Sequence, residues 1–145
     1  MLLIAVLIAI APAEMTGFWH SEPDLSQGYQ SCYFFWEHGE YAYLESIQEG
    51  VVYMGDWYLE GDDLVLIEYD AMMLDGTPLD VDYSEEAFPV SMERGEKAMI
   101  TFDGDTFYQL SDDPDGEILS LVPTWGMSYD ERDAFSPYDS PRSCP

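Results

Sequence analysis

The groups in this chain that could do acid–base, metal or thiol chemistry are 30 carboxylates, two histidines and two cysteines. A carboxylate pair about 5–9.5 Å apart can act as the acid and base of a glycosidase. Thirty acids offer no spacing that singles out one such pair. No Ser lies in a Gly-x-Ser-x-Gly elbow, no phosphate-binding loop is present, and neither cysteine has a His partner at a motif spacing. His20 and His38 fall on different expected strands without the spacing of a zinc site. A lone His near a turn is expected to be solvated. Asp113-Pro114-Asp115-Gly116 has the central spacing of an EF-hand calcium loop, yet its first position falls on Ser111 and its twelfth on Val122. Ordinary acidic turns are expected there, at Asp103-Gly104-Asp105 and at Asp62-Asp63. The residues therefore predict a non-enzymatic protein with no cofactor and no metal site.

Binding has more to stand on. Tyr29, Tyr33, Phe34, Phe35, Trp36, Tyr41, Tyr43, Tyr53, Trp57 and Tyr58 crowd into about one fifth of the chain. Most of these rings are expected to be core, because a small barrel fills its own interior with side chains. Any ligand held among them would be small and apolar or aromatic. The residues expected to hold it are Tyr33, Phe35, Tyr43, Tyr53 and Trp57.

Strands joined by short turns must position these rings. Gly55-Asp56-Trp57-Tyr58-Leu59-Glu60-Gly61-Asp62-Asp63-Leu64-Val65-Leu66-Ile67 reads as strand, tight acidic turn, strand. Strands are expected over 16–21, 30–36, 41–44, 51–59 and 64–69, forming an antiparallel meander. The stretch 70–88, with Gly76, Pro78 and a run of acids, reads as a long connection with one helical turn at most. Strand rhythm returns at 88–92, 97–102, 106–110 and 117–122, with Asp112 to Gly116 as a turn. The fold class predicted is all-β, an antiparallel up-and-down barrel of about eight strands spanning residues 14–122. An irregular tail over 123–145 carries Pro137, Pro141 and Pro145.

Before this domain, Leu2 to Ile10 is an unbroken apolar run followed by Ala11-Pro12-Ala13. The small residues fit an A-x-A cleavage rule, so residues 1–13 are expected to be a signal peptide cut after Ala13. The run is too short to cross a hydrocarbon core that needs about 20 residues. No Lys or Arg precedes it. The expected place of the protein is outside the cell or in the cell envelope, with no stable membrane insertion after cleavage. Thirty acids against four bases give a net charge of −26. Such a field disfavours nucleic acid and anionic lipid and favours cations, basic proteins or plain solubility. In an exported chain, the pair Cys32 and Cys144 suggests one disulfide. Closing a loop that spans most of the chain would stabilise by on the order of 4–5 kcal/mol. Two reduced thiols, Cys32 buried in its strand, are the alternative.

Gly17-Phe18-Trp19, the hairpin Phe35-Trp36-Glu37-His38-Gly39-Glu40-Tyr41, and Gly55-x-Trp57 with Gly61-Asp62-x-Leu64-x-Leu66 together resemble secreted bacterial lipocalin-like domains, short relatives of the calycin barrels. The resemblance covers residues 16–70 well and the rest by strand rhythm. It implies a barrel with an open mouth that admits an apolar ligand. Trp19 would match the family's first-strand Trp at the closed end, and Arg132 would be the counterpart of the Arg that covers it. The Thr-Asp-Tyr loop element of the larger lipocalins is absent. The function expected is thus a secreted binding module with a small apolar or aromatic ligand in the barrel mouth. The rival expectation is an extracellular interaction or inhibitor domain that meets a basic protein through its acidic surface.

Overall fold

In the computed structural model, residues 9–123 and 125 are described. A four-residue helix α1 (Pro12–Met15) leads into strands β1 (Gly17–His20), β2 (Cys32–Phe35), β3 (Glu40–Leu44), β4 (Val51–Glu60) and β5 (Asp63–Met73). A two-residue strand β6 (Pro78–Leu79) is followed by β7 (Ser84–Glu93), β8 (Met99–Phe102), β9 (Asp105–Ser111) and helix α2 (Pro114–Leu121). Each strand pairs antiparallel with the next in the ring, β6 alone standing outside it against the end of β5. Pairing of β9 with β1 closes an eight-stranded up-and-down barrel. Among the described strands, closure leaves no long unpaired edge on which another chain could add a strand.

Turn chemistry sets the register. Gly61, at φ +61°, opens the two-residue turn between Glu60 and Asp63, the primed geometry that suits the twist of paired strands. Asp103 and Gly104 both have positive φ in the corresponding turn between β8 and β9.

Alternation along the strands separates two cores. Trp19, Phe35, Tyr41, Trp57, Leu64, Leu66, Ile100, Phe102 and Phe107 fill the barrel with Met15 of α1 at one end. Trp19 is fully buried and its indole Nε1 donates to the Met15 carbonyl oxygen at 2.8 Å. Trp57 is also buried, and its Nε1 donates to the Trp36 carbonyl oxygen at 2.8 Å. The second core lies on the outside of β1–β4, where Phe18, Cys32, Phe34, Leu44 and Val52 pack with Ile118, Leu121 and Val122.

Three expectations about the elements need correction. Residues 117–122 are helical: Asp113 caps α2 by accepting from the Asp115 and Gly116 N–H groups, Pro114 occupies the first turn, and Asp115 and Glu117 sit at the positive end of the helix dipole. The supposed turn at Asp112 to Gly116 is therefore a helix start. The long connection over 70–88 shrinks to residues 74–83, because β5 runs on to Met73 and β7 begins at Ser84. A bulge lets β5 continue. The register passes from Met54↔Asp70 to Gly55↔Glu68, so Tyr69 is unpaired and the inward face changes from even to odd residues. His20 is fully buried rather than solvated, with Gln30 N–H donating to its Nε2 at 2.8 Å and its Nδ1 3.0 Å from the Glu22 carbonyl oxygen.

Candidate functional site

The end of the barrel remote from α1 opens into a pocket of about 170 Å³ lined by Tyr33, Tyr41, Tyr43, Leu66, Glu68, Ser84, Glu86 and Phe88. Tyr33 on β2 forms part of its inner wall. Its ring stacks on Tyr43 at 4.4 Å and on Phe35 at 5.6 Å, and meets Phe102 and Phe107 edge-on at 5.1 and 5.2 Å. Tyr43 is half-buried, and its hydroxyl accepts from Ser31 Oγ at 3.3 Å.

Tyr41 and Glu68 share a row of the wall with only Gly55 between them, Tyr41 pairing with Gly55 and Gly55 with Glu68. A side chain at position 55 would collide with β5, since a Cβ there would lie 1.7 Å from the Ile67 carbonyl oxygen. Glycine is thus required for the close strand approach and leaves the space between Tyr41 and Glu68 open. Tyr41 is only 2% exposed, yet its hydroxyl makes no hydrogen bond to a described residue.

The electrostatics follow from burial among acids. Burial, then the charges of Glu68 and Glu86, push the Tyr41 phenol well above its ordinary pKa. Burial does the same for Tyr33 and, more mildly, for Tyr43. All three phenols are therefore neutral at pH 7 and able to donate. Burial and the neighbouring Glu86 raise the pKa of the Glu68 carboxyl above its ordinary value. Neither acid has a cationic partner: among the described residues the ion pairs are Arg94 with Glu14 and His38 with Glu40. The lining holds one aliphatic hydroxyl, Ser84, and no His, Lys or Cys to activate it. Its chemistry is that of an aromatic recess with an acidic lip.

Of the five residues expected to hold a ligand, the structure brings Tyr33 and Tyr43 to this pocket. Phe35 is fully buried beneath Tyr33 and packs edge-on against Trp57 at 5.4 Å, so both are core. Tyr53 is at the rim beside Tyr43, at 6.4 Å between rings, and its hydroxyl donates to Glu49 Oε1 at 3.0 Å. The pocket residues outside those five are Tyr41, Leu66, Glu68, Ser84, Glu86 and Phe88. Tyr41 belongs to the ring cluster read from the sequence and shares a strand face with Tyr43; Glu68 and Glu86 carry no signal among thirty acids.

Cys32 is buried in the outer core with no disulfide to a described residue, and burial pushes its thiol pKa up. Cys144 and Arg132 lie outside the described residues. Among the described residues no group of three or more His, Cys, Asp or Glu is arranged to hold a metal, and no helix is long and apolar enough to cross a membrane. In comparisons with known proteins the chain matches no family model, no curated protein and no solved structure.

Proposed function

We propose that this chain is a secreted, non-enzymatic binding module of lipocalin-like type that holds a small ligand with an apolar or aromatic body in its barrel mouth. The observation that carries the reading is the buried Tyr41, which lines the pocket and whose hydroxyl makes no hydrogen bond to a described residue. An unmatched buried hydroxyl costs about 1–3 kcal/mol, which a ligand acceptor or donor would recover. Around it, Tyr33, Tyr43, Leu66 and Phe88 supply apolar surface. At about 170 Å³ the pocket is smaller than the 300–1,000 Å³ of sites for drug-sized molecules, so a single-ring ligand is the scale that fits.

Export is supported by the apolar run and the Ala11-Pro12-Ala13 site. A cut after Ala13 keeps the Glu14–Arg94 pair and the buried Met15 in the mature chain but removes Ile10, which packs on the inner core, and Ala11, whose N–H donates to Glu14. The Cys32–Cys144 disulfide belongs to the same proposal, and mass spectrometry before and after alkylation tests it. Two freely alkylated thiols in the native exported protein would overturn the bond.

Calorimetric titration with p-cresol tests the binding reading. Saturable heat that is lost in Tyr43→Ala supports it. A linear response identical in wild type and variant would overturn it.

A second reading is favoured by one observation. Tyr58, Tyr69 and Tyr83 are exposed, and Tyr58 lies within the influence of Glu60 and Glu85 while Tyr69 donates to Asp56 Oδ1 at 2.9 Å. Exposed tyrosines among acids suit contact with a basic protein.

A further inference from the structure

We propose that the ligand of the barrel mouth is a small organic cation, an ammonium group carried on an apolar or aromatic body, with Glu68 as its counter-ion. This rests on the reading of the mouth as a binding site and names the chemistry of its ligand. Tyr33, Tyr41 and Tyr43 line the pocket with ring surface that suits the apolar body of such a ligand. Tyr33 and Tyr43 already stack on each other, on Phe35 and on Tyr53, so the positive charge is matched by Glu68 rather than by an open ring face. Glu68 is half-buried on the same wall, with Glu86 on the neighbouring strand beside it. Neither has a positive partner among the described residues, whose ion pairs lie elsewhere. A carboxylate withdrawn from water without a counter-ion is costly, and a bound cation offsets that cost.

Tyr41 supplies the independent sign of a ligand. Its oxygen has no hydrogen-bond partner among the described residues and can accept from an N–H, whereas the buried rings of Trp19, His20, Trp36 and Trp57 are all hydrogen-bonded. A neutral aromatic ligand would fill the recess but leave Glu68 uncompensated. An anionic one would meet Glu68 and Glu86 directly. The net charge of −26 adds a long-range attraction for cations but no preference for this pocket, so the test must separate the two effects.

Calorimetric titration of the full chain with 2-phenylethylamine and with its neutral counterpart 2-phenylethanol does so. Three proteins are compared at physiological ionic strength: wild type, Glu68→Gln, and Glu93→Gln, which removes an exposed charge far from the pocket. The amine is expected to bind wild type about tenfold more tightly than the alcohol, with that preference retained in Glu93→Gln and lost in Glu68→Gln. Cooperative melting of Glu68→Gln shows that the loss is not unfolding. Equal affinity for amine and alcohol in wild type would overturn the cation proposal and leave the aromatic pocket standing. An equal loss of preference in both variants would reduce it to the general field of the acidic surface and overturn it. No binding of either compound would overturn both this proposal and the reading beneath it.

Discussion

Tyr41 and Glu68 sit on either side of Gly55 in one row of the barrel wall, and the missing side chain at position 55 is what lets the phenol and the carboxyl share a pocket. The same glycine permits the bulge that turns β5, so site and fold depend on one residue. Gly55→Ala should shift β5 away from β4 and cost at least about 1–3 kcal/mol, the usual range for overpacking. Urea unfolding measures it, and a curve that overlays wild type would show that the strands have room to separate.

Glu68 should oppose folding at neutral pH. Its folded-state pKa is raised, so the native state binds more protons than the unfolded chain, and this group's contribution falls as pH rises from the ordinary carboxylate range through its folded pKa. Glu68→Gln is therefore expected to melt higher than wild type at pH 8, with the gap closing as the solution is acidified. A variant that melts lower at pH 8 would mean that the carboxylate is stabilised by a contact the pocket does not show.

The whole protein should show a broader version of the same balance. Glu45 is raised by its hydrogen bond and repulsion with Glu49, as Glu68 is by burial and Glu86. In the full chain Glu14 is instead pulled down to about 2, first by the Arg94 guanidinium, which a cut after Ala13 leaves in place, and then by the Ala11 N–H, which the cut removes, while Asp24 and Asp75 are lowered by bonds to Ser26 and Thr77. Protonating the first pair favours the native state, so stability should increase on moderate acidification. Protonating the second group removes native contacts, so stability should drop as pH falls toward about 2. With 30 acids against four bases, melting temperature should also rise with salt, most steeply while the Debye length falls from about 30 Å at 0.01 M to about 10 Å at 0.1 M. A flat response to salt would show that the acids are too dispersed to repel.

Trp19 and Trp57 close the barrel end by burial and by hydrogen bonds to Met15 and Trp36. Either Trp→Ala should cost about 3–5 kcal/mol. Asp113→Ala, which removes the cap of α2 and weakens the cover over the outer core, should cost about 1 kcal/mol. Chemical unfolding orders the three variants, and a cap mutant as damaged as the Trp mutants would mean that α2 is integral to the barrel.

The barrel was legible where local chemistry and pattern agree. Gly61-Asp62 and Asp103-Gly104 mark primed turns, and Trp19 and Trp57 alternate inward as their strands require. Helix α2 reads as a strand in sequence because Ile118, Leu121 and Val122 also suit a strand; the deciding signal is Asp113-Pro114, a cap and first-turn pair that resembles a turn. The extension of β5 was hidden because a bulge at Tyr69 breaks the period-two pattern that identifies strands. The pocket was half legible. Tyr33 and Tyr43 follow from ring density, whereas Glu68 and Glu86 depend on which two of thirty acids the register turns inward, a tertiary fact with no local mark.

The most direct test of the mouth as the binding site is a two-dimensional NMR titration of isotopically labelled protein with p-cresol. The account predicts saturable shifts concentrated at Tyr33, Tyr41, Tyr43, Glu68 and Ser84. Shifts confined to Tyr58, Tyr69 and Tyr83 on the outer wall, or none at all, would contradict it.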